Sequence, residues 1–130
     1  MAARHFMAGL GLGLGLGLGL LAFGASAAPP AEVVEEIEFL LRHVERSECV
    51  FLRNGDEHEP AAAAEHIRKK YRHFFKKIDT TDDFIRRSAT KSLLSGKPYQ
   101  VRCAPERALQ PTAQWLRDAL AEHRGKNSLP

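Results

Sequence analysis

Acidic residues are absent from the first 27 positions of the chain, and glycine is scarce after them. The first acid is Glu32, and only three of the ten glycines follow residue 27. Removing residues 1–27 leaves 103 residues, with 18 Lys and Arg against 16 Asp and Glu, for a formal net charge of +2. This length allows one small domain and excludes a two-domain enzyme or a complete dinucleotide-binding fold.

Segment 1–27 has the organisation of a secretory signal peptide. A short basic start at Arg4 is followed by an apolar Leu/Gly/Ala run of 15 residues, from Gly9 to Phe23. Small residues then precede a cleavage site, which we predict directly after Ala27. An N-terminal membrane anchor is the alternative. It is disfavoured because a spanning helix needs about 20 predominantly apolar residues, and the alternating glycines lower helix propensity.

A signal peptide of this kind predicts the compartment of the protein and limits its classes of partner. We expect a periplasmic or secreted bacterial protein, delivered by a Sec-type signal peptide. No second apolar run of similar length follows residue 27, so we expect no stable membrane span after cleavage. The near-neutral charge does not single out a nucleic-acid binder, and export removes the genome, so we expect no nucleic-acid partner.

The chain has only two cysteines, and they do not form a C-x-x-C motif. This absence argues against thiol–disulfide catalysis. In an oxidising compartment an isolated pair is usually a disulfide, so we predict a Cys49–Cys103 bond. The bond closes a loop of about 55 residues and stabilises a chain by about 4 kcal/mol on the chain-entropy model. Two free buried thiols are the alternative.

Periodicity and turn residues predict the fold class. Apolar residues at three- and four-residue steps predict four helices, over 31–47, over 60–78, from Thr80 to about Lys91 and from Pro111 to Gly125. Cys49 to Arg53 is short and β-prone and precedes an Asn-Gly turn, and Tyr99 to Cys103 alternates apolar with polar residues. We therefore expect one α+β domain over 28–125, mainly helical with about four helices and a two-stranded antiparallel element. A disordered tail is expected over 126–130.

Charge is unevenly distributed between the first two helices. Residues 32–48 hold six acids and two bases, whereas residues 61–78 hold six bases and one acid. One interpretation is that the two helices pack together and balance each other. The other is a basic amphipathic face that binds anionic lipid or glycan.

No group of residues forms a convincing catalytic or metal-binding set. Ser88-Ala-Thr-Lys91 matches the S-x-x-K pattern of penicillin-binding proteins, but those enzymes need a domain more than twice as long. His66 and His73 are too few to hold zinc, and Lys70 between them repels a cation. We expect no catalytic residue, no metal and no cofactor. The alternative is a small cell-envelope hydrolase that pairs Ser92 or Ser88 with Lys91 or His66.

Four segments together resemble a known family. They are Phe51-x-Arg53-Asn54-Gly55, His66-x-x-x-Lys70, Thr81-x-x-Phe84-Ile85 and Ser92-x-x-x-Gly96-Lys97-Pro98-Tyr99. In this order they resemble the exported bacterial family known as domain of unknown function (DUF) 5329. The resemblance carries no activity, and its pattern does not require the cysteines. It implies that the disulfide is a local stabiliser.

The resemblance also indicates residues that packing alone does not demand. These candidate binding residues are Arg53, Asn54, His66, Lys70, Ser92, Lys97 and Tyr99. We expect them to converge on one patch that suits an anionic or glycan ligand, or an envelope protein. The alternative is that they serve turns and strands only. The predicted function is a non-catalytic periplasmic binding or interaction module.

Overall fold

The structure, a computed structural model, describes residues 28–130 and six isolated glycines between residues 9 and 19. The rest of the predicted signal peptide, including the cleavage site after Ala27, lies outside the described residues. The elements are α1 (Ala31–Arg46), β1 (Cys49–Arg53), β2 (Asp56–His58), α2 (Pro60–Phe74), a 3-10 turn (Phe75–Lys77), α3 (Thr81–Ser88), β3 (Gln100–Cys103), β4 (Gln110–Pro111) and α4 (Thr112–Asn127). The α+β class is confirmed.

The sheet has four antiparallel strands in the order β2-β1-β3-β4, whereas the sequence predicted two. Asn54 and Gly55, both at positive φ, form the tight turn that folds β2 back onto β1. β2 is the polar tripeptide Asp56–His58, and β4 is two residues that include a proline. Neither strand has an alternating apolar face, so periodicity contains no signal for either.

The predicted disulfide is confirmed. Cys49 lies directly opposite Cys103 in the β1–β3 register, and their sulfur atoms are bonded at 2.07 Å. The bond joins the first residue of β1 to the last residue of β3. It therefore locks one end of this strand pair and leaves the other end, near Arg53 and Tyr99, to be held by other interactions.

The four helices cover the sheet through one apolar core. Each helix contributes buried residues, and β1 and β3 contribute Phe51 and Val101. The largest fully buried apolar side chains are Ile37, Leu40, Leu41, Ile78, Phe84, Ile85 and Leu116. The predicted α3 start is correct, because Thr80 and Asp83 form a reciprocal capping box.

Two predicted helix ends differ from the structure. α3 stops at Ser88 rather than near Lys91, and the Thr90 hydroxyl donates to the Ile85 carbonyl at 2.8 Å just beyond it. α4 continues past Gly125 to Asn127, because the amide and hydroxyl of Ser128 both donate to the Arg124 carbonyl. No helix within residues 28–130 combines the length and the apolar character that crossing a membrane requires.

Charge pairing between the acidic and basic helices occurs through one residue. Arg68 of α2 lies 3.5 Å from a Glu38 carboxylate oxygen and 3.6 Å from one of Glu45, both on α1. Within residues 28–130, no other basic residue of α2 forms an ion pair with α1. Most of the positive charge on α2 is therefore unbalanced by its neighbour.

Candidate functional site

Tyr99 lies just before β3, at the end of the β1–β3 pair that is opposite the disulfide. Its backbone amide donates to the Thr90 carbonyl at 2.9 Å, and its carbonyl accepts from the Thr112 amide at 3.0 Å. These bonds connect it to the segment that leaves α3 and to the start of α4. The side chain is buried, so its ring and hydroxyl hold a fixed position among the elements.

Lys70 of α2 is a buried lysine, with 7% of its surface exposed. Its Nζ donates to the Lys91 carbonyl oxygen at 2.7 Å and to the Tyr99 hydroxyl at 3.2 Å. Among the described residues, no carboxylate forms an ion pair with it. Burial, with the positive charge of Arg53, lowers the pKa of Lys70 to about 8. The side chain therefore still carries its charge at pH 7, although that charge is poorly compensated.

His66 continues the same hydrogen-bonded chain, with its Nε2 3.0 Å from the Tyr99 hydroxyl. Burial, followed by the positive charges of Arg53 and Lys70, lowers the pKa of His66 to about 4, so the ring is neutral at pH 7. Because Lys70 has only donors, the Tyr99 oxygen accepts from it while the hydroxyl retains its own proton. Burial raises the pKa of Tyr99, which keeps that proton in place.

A small pocket adjoins this chain. Its volume is about 20 Å³, which is space for one water molecule. Its lining residues are Phe51, Leu52, Arg53, His58, Ala63, His66, Ile67, Tyr99 and Thr112. The buried members are mainly apolar, whereas Arg53, His58 and His66 are half-buried and form a cationic or polar mouth. The Thr112 hydroxyl is buried here and has no hydrogen-bond partner within the described part of the chain.

The remaining predicted residues form a second group beside the pocket. Asn54 Nδ2 donates to the Ser92 hydroxyl at 3.4 Å, and the Ser95 hydroxyl donates to Asn54 Oδ1 at 2.5 Å. Lys97 is exposed and lines a separate groove together with Leu52. Its backbone carbonyl accepts a hydrogen bond from the Ser92 amide, which closes the loop between the two residues. The structure therefore places the seven candidates in two adjacent groups. Arg53, His66 and Tyr99 line the pocket, with Lys70 bonded to Tyr99 behind it, and Asn54, Ser92 and Lys97 belong to the loop contact.

Two polar lining residues, His58 and Thr112, are not among the candidates predicted from the sequence. His58 lies opposite Phe51 in the β1–β2 register. The two-residue Asn54-Gly55 turn fixes that register, so a signal for His58 was present in the sequence. Thr112 was identified only as a helix start, because the contact of α4 with Tyr99 is long-range.

Neither serine of the hydrolase alternative is paired with a base. The Ser88 side chain is fully buried, and its hydroxyl has no hydrogen-bond partner among the described residues. The Ser92 hydroxyl interacts with Asn54 Nδ2 and with the amides of Leu94 and Ser95. Within residues 28–130 no hydrogen bond joins either hydroxyl to Lys91 or His66, which is the contact that an activated nucleophile requires.

Comparison with known proteins identifies the family. The sequence profile of a family of unknown function, DUF5329, matches residues 31–124. The chain belongs to the DUF5329 family. This confirms the resemblance found in the sequence, and the matched region includes both cysteines and all seven candidate residues.

A curated relative gives a partial match to this DUF5329 chain. The Salmonella typhimurium (strain LT2) protein called "Uncharacterized protein YfeK" is 38% identical over 55 residues. The alignment covers 42% of this chain and 46% of YfeK, so the chain spans less than half of that relative. No solved structure matches the chain. Among the described residues, no three His, Cys, Asp or Glu side chains are grouped to hold a metal ion.

Proposed function

We propose that the protein is an exported, non-catalytic binding domain that recognises an anionic group on a cell-envelope glycan or protein. The binding site is the pocket beside Tyr99. The observation that carries this proposal is the hydrogen-bonded chain from buried Lys70 through Tyr99 to His66, with Arg53 at the pocket mouth. A buried charge without a carboxylate partner costs stability, so packing does not explain its presence.

The charge of the site favours an anion. Arg53, Lys70 and Lys69 all lower the pKa of His66, which means that a positive potential acts at the pocket. Arg53 offers a planar guanidinium that binds carboxylate or phosphate through two parallel hydrogen bonds. The His66 ring and the Thr112 hydroxyl also line the pocket and supply further hydrogen-bonding groups.

The size of the pocket favours one small group of a large ligand over an enclosed small molecule. Small-molecule sites enclose about 300–1,000 Å³, whereas this pocket offers about 20 Å³. Only one small group of a ligand enters such a pocket, and the rest lies across the surface. This arrangement fits recognition of a larger glycan or protein rather than enclosure of a free metabolite.

Affinity capture tests the site directly. Wild-type protein and an Arg53→Ala variant are used as baits for the same envelope extract, and the captured material is measured with glucuronate or glucose added as competitor. We expect Arg53→Ala to capture at least about tenfold less, because it loses a charge-assisted contact. Glucuronate should compete better than uncharged glucose.

The matched control is Arg107→Ala, which removes another surface arginine outside the pocket lining. It should capture as much as the wild type. Lys97→Ala distinguishes the pocket from the neighbouring loop group, and its effect should be smaller than that of Arg53→Ala. Equal capture by the wild type and Arg53→Ala contradicts the proposed site.

Export is the second part of the proposal. The signal-peptide pattern of residues 1–27 supports it, and the Cys49–Cys103 disulfide is compatible with an extracytoplasmic location. Cells that express the full chain are separated into periplasmic and cytoplasmic fractions, and the intact mass is measured. We expect a periplasmic protein that starts at Ala28. A full-length mass confined to the cytoplasm contradicts export.

A further inference from the structure

Two adjacent leucines are displayed on the surface of the segment between α3 and β3. Leu94 is 98% exposed and Leu93 is 61% exposed. A single exposed leucine is ordinary, but two neighbouring ones at the tip of a loop make an apolar patch that calls for a partner. The binding site proposed above does not use either residue.

Hydrogen bonds hold the loop that carries these leucines in a defined conformation. Lys91 and Pro98 form an isolated antiparallel bridge at its base. The Ser92 amide donates to the Lys97 carbonyl at 3.0 Å, and the Gly96 amide donates to the Ser92 carbonyl at 2.9 Å. The side-chain contacts of Asn54 with Ser92 and Ser95 fasten the loop to the β1–β2 turn. The leucines are therefore held outward without losing further backbone freedom on binding.

Positive charge surrounds the apolar tip. The chain has no acidic residue between Asp83 and Glu106 and five basic ones, of which Arg86 and Arg102 form ion pairs with Asp83 and Glu57. Lys91 and Lys97 are both exposed and stand on either side of the leucines at the base of the loop. In the adjoining turn, Arg53 and Asp56 are register partners and add no net charge. An apolar tip above paired lysines matches the interface of an anionic bilayer, where acyl chains lie below a layer of phosphates.

We propose that loop 91–98 docks the protein on an anionic membrane surface. Leu93 and Leu94 enter the boundary between headgroups and acyl chains, and Lys91 and Lys97 contact lipid phosphates. Two leucines are far smaller than the apolar centre of a stable protein interface, which favours a bilayer over a protein socket. The contact is weak and reversible, and it holds the pocket beside Tyr99 close to the membrane.

Vesicle co-sedimentation tests this proposal. The probes are phosphatidylcholine vesicles containing about 30% phosphatidylglycerol and vesicles of phosphatidylcholine alone. All proteins are recovered from the same cells and have the same N-terminus, so differences between variants measure the loop. We expect the wild type to sediment with the anionic vesicles and to be released as salt rises from about 0.1 M to about 1 M.

Three variants decide the outcome. Leu93→Ser with Leu94→Ser should weaken binding to anionic vesicles at least about tenfold, because both apolar side chains are lost. Lys91→Gln with Lys97→Gln should weaken it and reduce the salt dependence. Leu109→Ser, at another leucine that is 51% exposed, is the matched control and should bind as the wild type does. Circular dichroism confirms that each variant is folded.

Absence of wild-type binding to anionic vesicles overturns the proposal, and so does equal binding by the double-leucine variant. Capture of a protein through the leucines without vesicle binding also overturns it. Leu93→Ser with Leu94→Ser lies outside the pocket lining and should capture the envelope ligand as the wild type does, so failure of the pocket proposal and failure of this one are separate results.

Discussion

The two ends of the β1–β3 strand pair are held by different kinds of interaction. At one end Cys49 and Cys103 are covalently joined. At the other end Tyr99 holds a buried lysine and a neutral histidine in a hydrogen-bonded chain. The disulfide end is held by a covalent bond. The polar end places an uncompensated charge in a small domain, which costs stability. We propose that the first end secures the fold and that the second end serves a ligand.

The largest predicted effect concerns the disulfide end. Replacing both Cys49 and Cys103 by Ala should lower the free energy of unfolding by about 4 kcal/mol, because the unfolded chain regains the entropy of an open loop. Urea unfolding of the variant and the wild type measures the loss. At a temperature where the variant is folded, it should still capture the envelope ligand. A stability loss below about 1 kcal/mol, or failed capture by the folded variant, contradicts the assignment of stability to one end and binding to the other.

The second prediction concerns acid stability at the polar end. The pKa of His66 is lowered to about 4 in the fold, so between about pH 4 and 6.5 the unfolded chain binds more protons than the native one. Stability should therefore fall as pH is lowered through this window, by at most about 3 kcal/mol from His66. Burial also lowers the pKa of His43 and adds to the fall in the same direction.

His66→Gln should flatten this acid dependence more than His43→Gln does, because the His66 shift is the large one. Thermal unfolding of both variants across the pH range measures the difference. An unchanged pH profile in His66→Gln is incompatible with a neutral, buried His66.

The smallest predicted effect on stability is at Lys70. Lys70→Met fills a similar volume without the buried charge, so the free energy of unfolding should stay within about 1 kcal/mol of the wild type. Lys69→Met, at the exposed neighbour, is the control for the added methionine. Capture of the envelope ligand should fall for Lys70→Met only. A loss of more than about 3 kcal/mol shows that Lys70 is a structural requirement of the fold.

The sequence predicts the elements whose signals are local. The four helices, the Asn54-Gly55 turn and the Thr80 cap all depend on short-range patterns, and the expectation of export makes the disulfide predictable from two cysteines. β2 and β4 were missed, because edge strands of two or three polar or proline-containing residues are stabilised by pairing rather than by an apolar face.

The site was predictable only in part, because its residues have local sequence signals but their contacts do not. The family pattern selects Arg53, His66, Lys70 and Tyr99, but their contacts depend on how α2 and β3 pack. The burial of Lys70 did leave a trace, because Ala63, Ile67, Lys70 and Phe74 follow the spacing of one helix face. No sequence pattern indicates the role of Thr112, since its contact with Tyr99 forms only when α4 packs against the sheet.

The most direct test of the polar end as a binding site compares the two tyrosines of the chain. Tyr99→Phe removes the hydroxyl that links Lys70 to His66 and keeps the ring, whereas Tyr71→Phe removes a hydroxyl elsewhere on α2. Capture of the envelope ligand is measured for both variants at equal folded concentration. We expect Tyr99→Phe to capture at least about fivefold less than the wild type, and Tyr71→Phe to capture as much as the wild type. Equal capture by both variants would contradict this expectation.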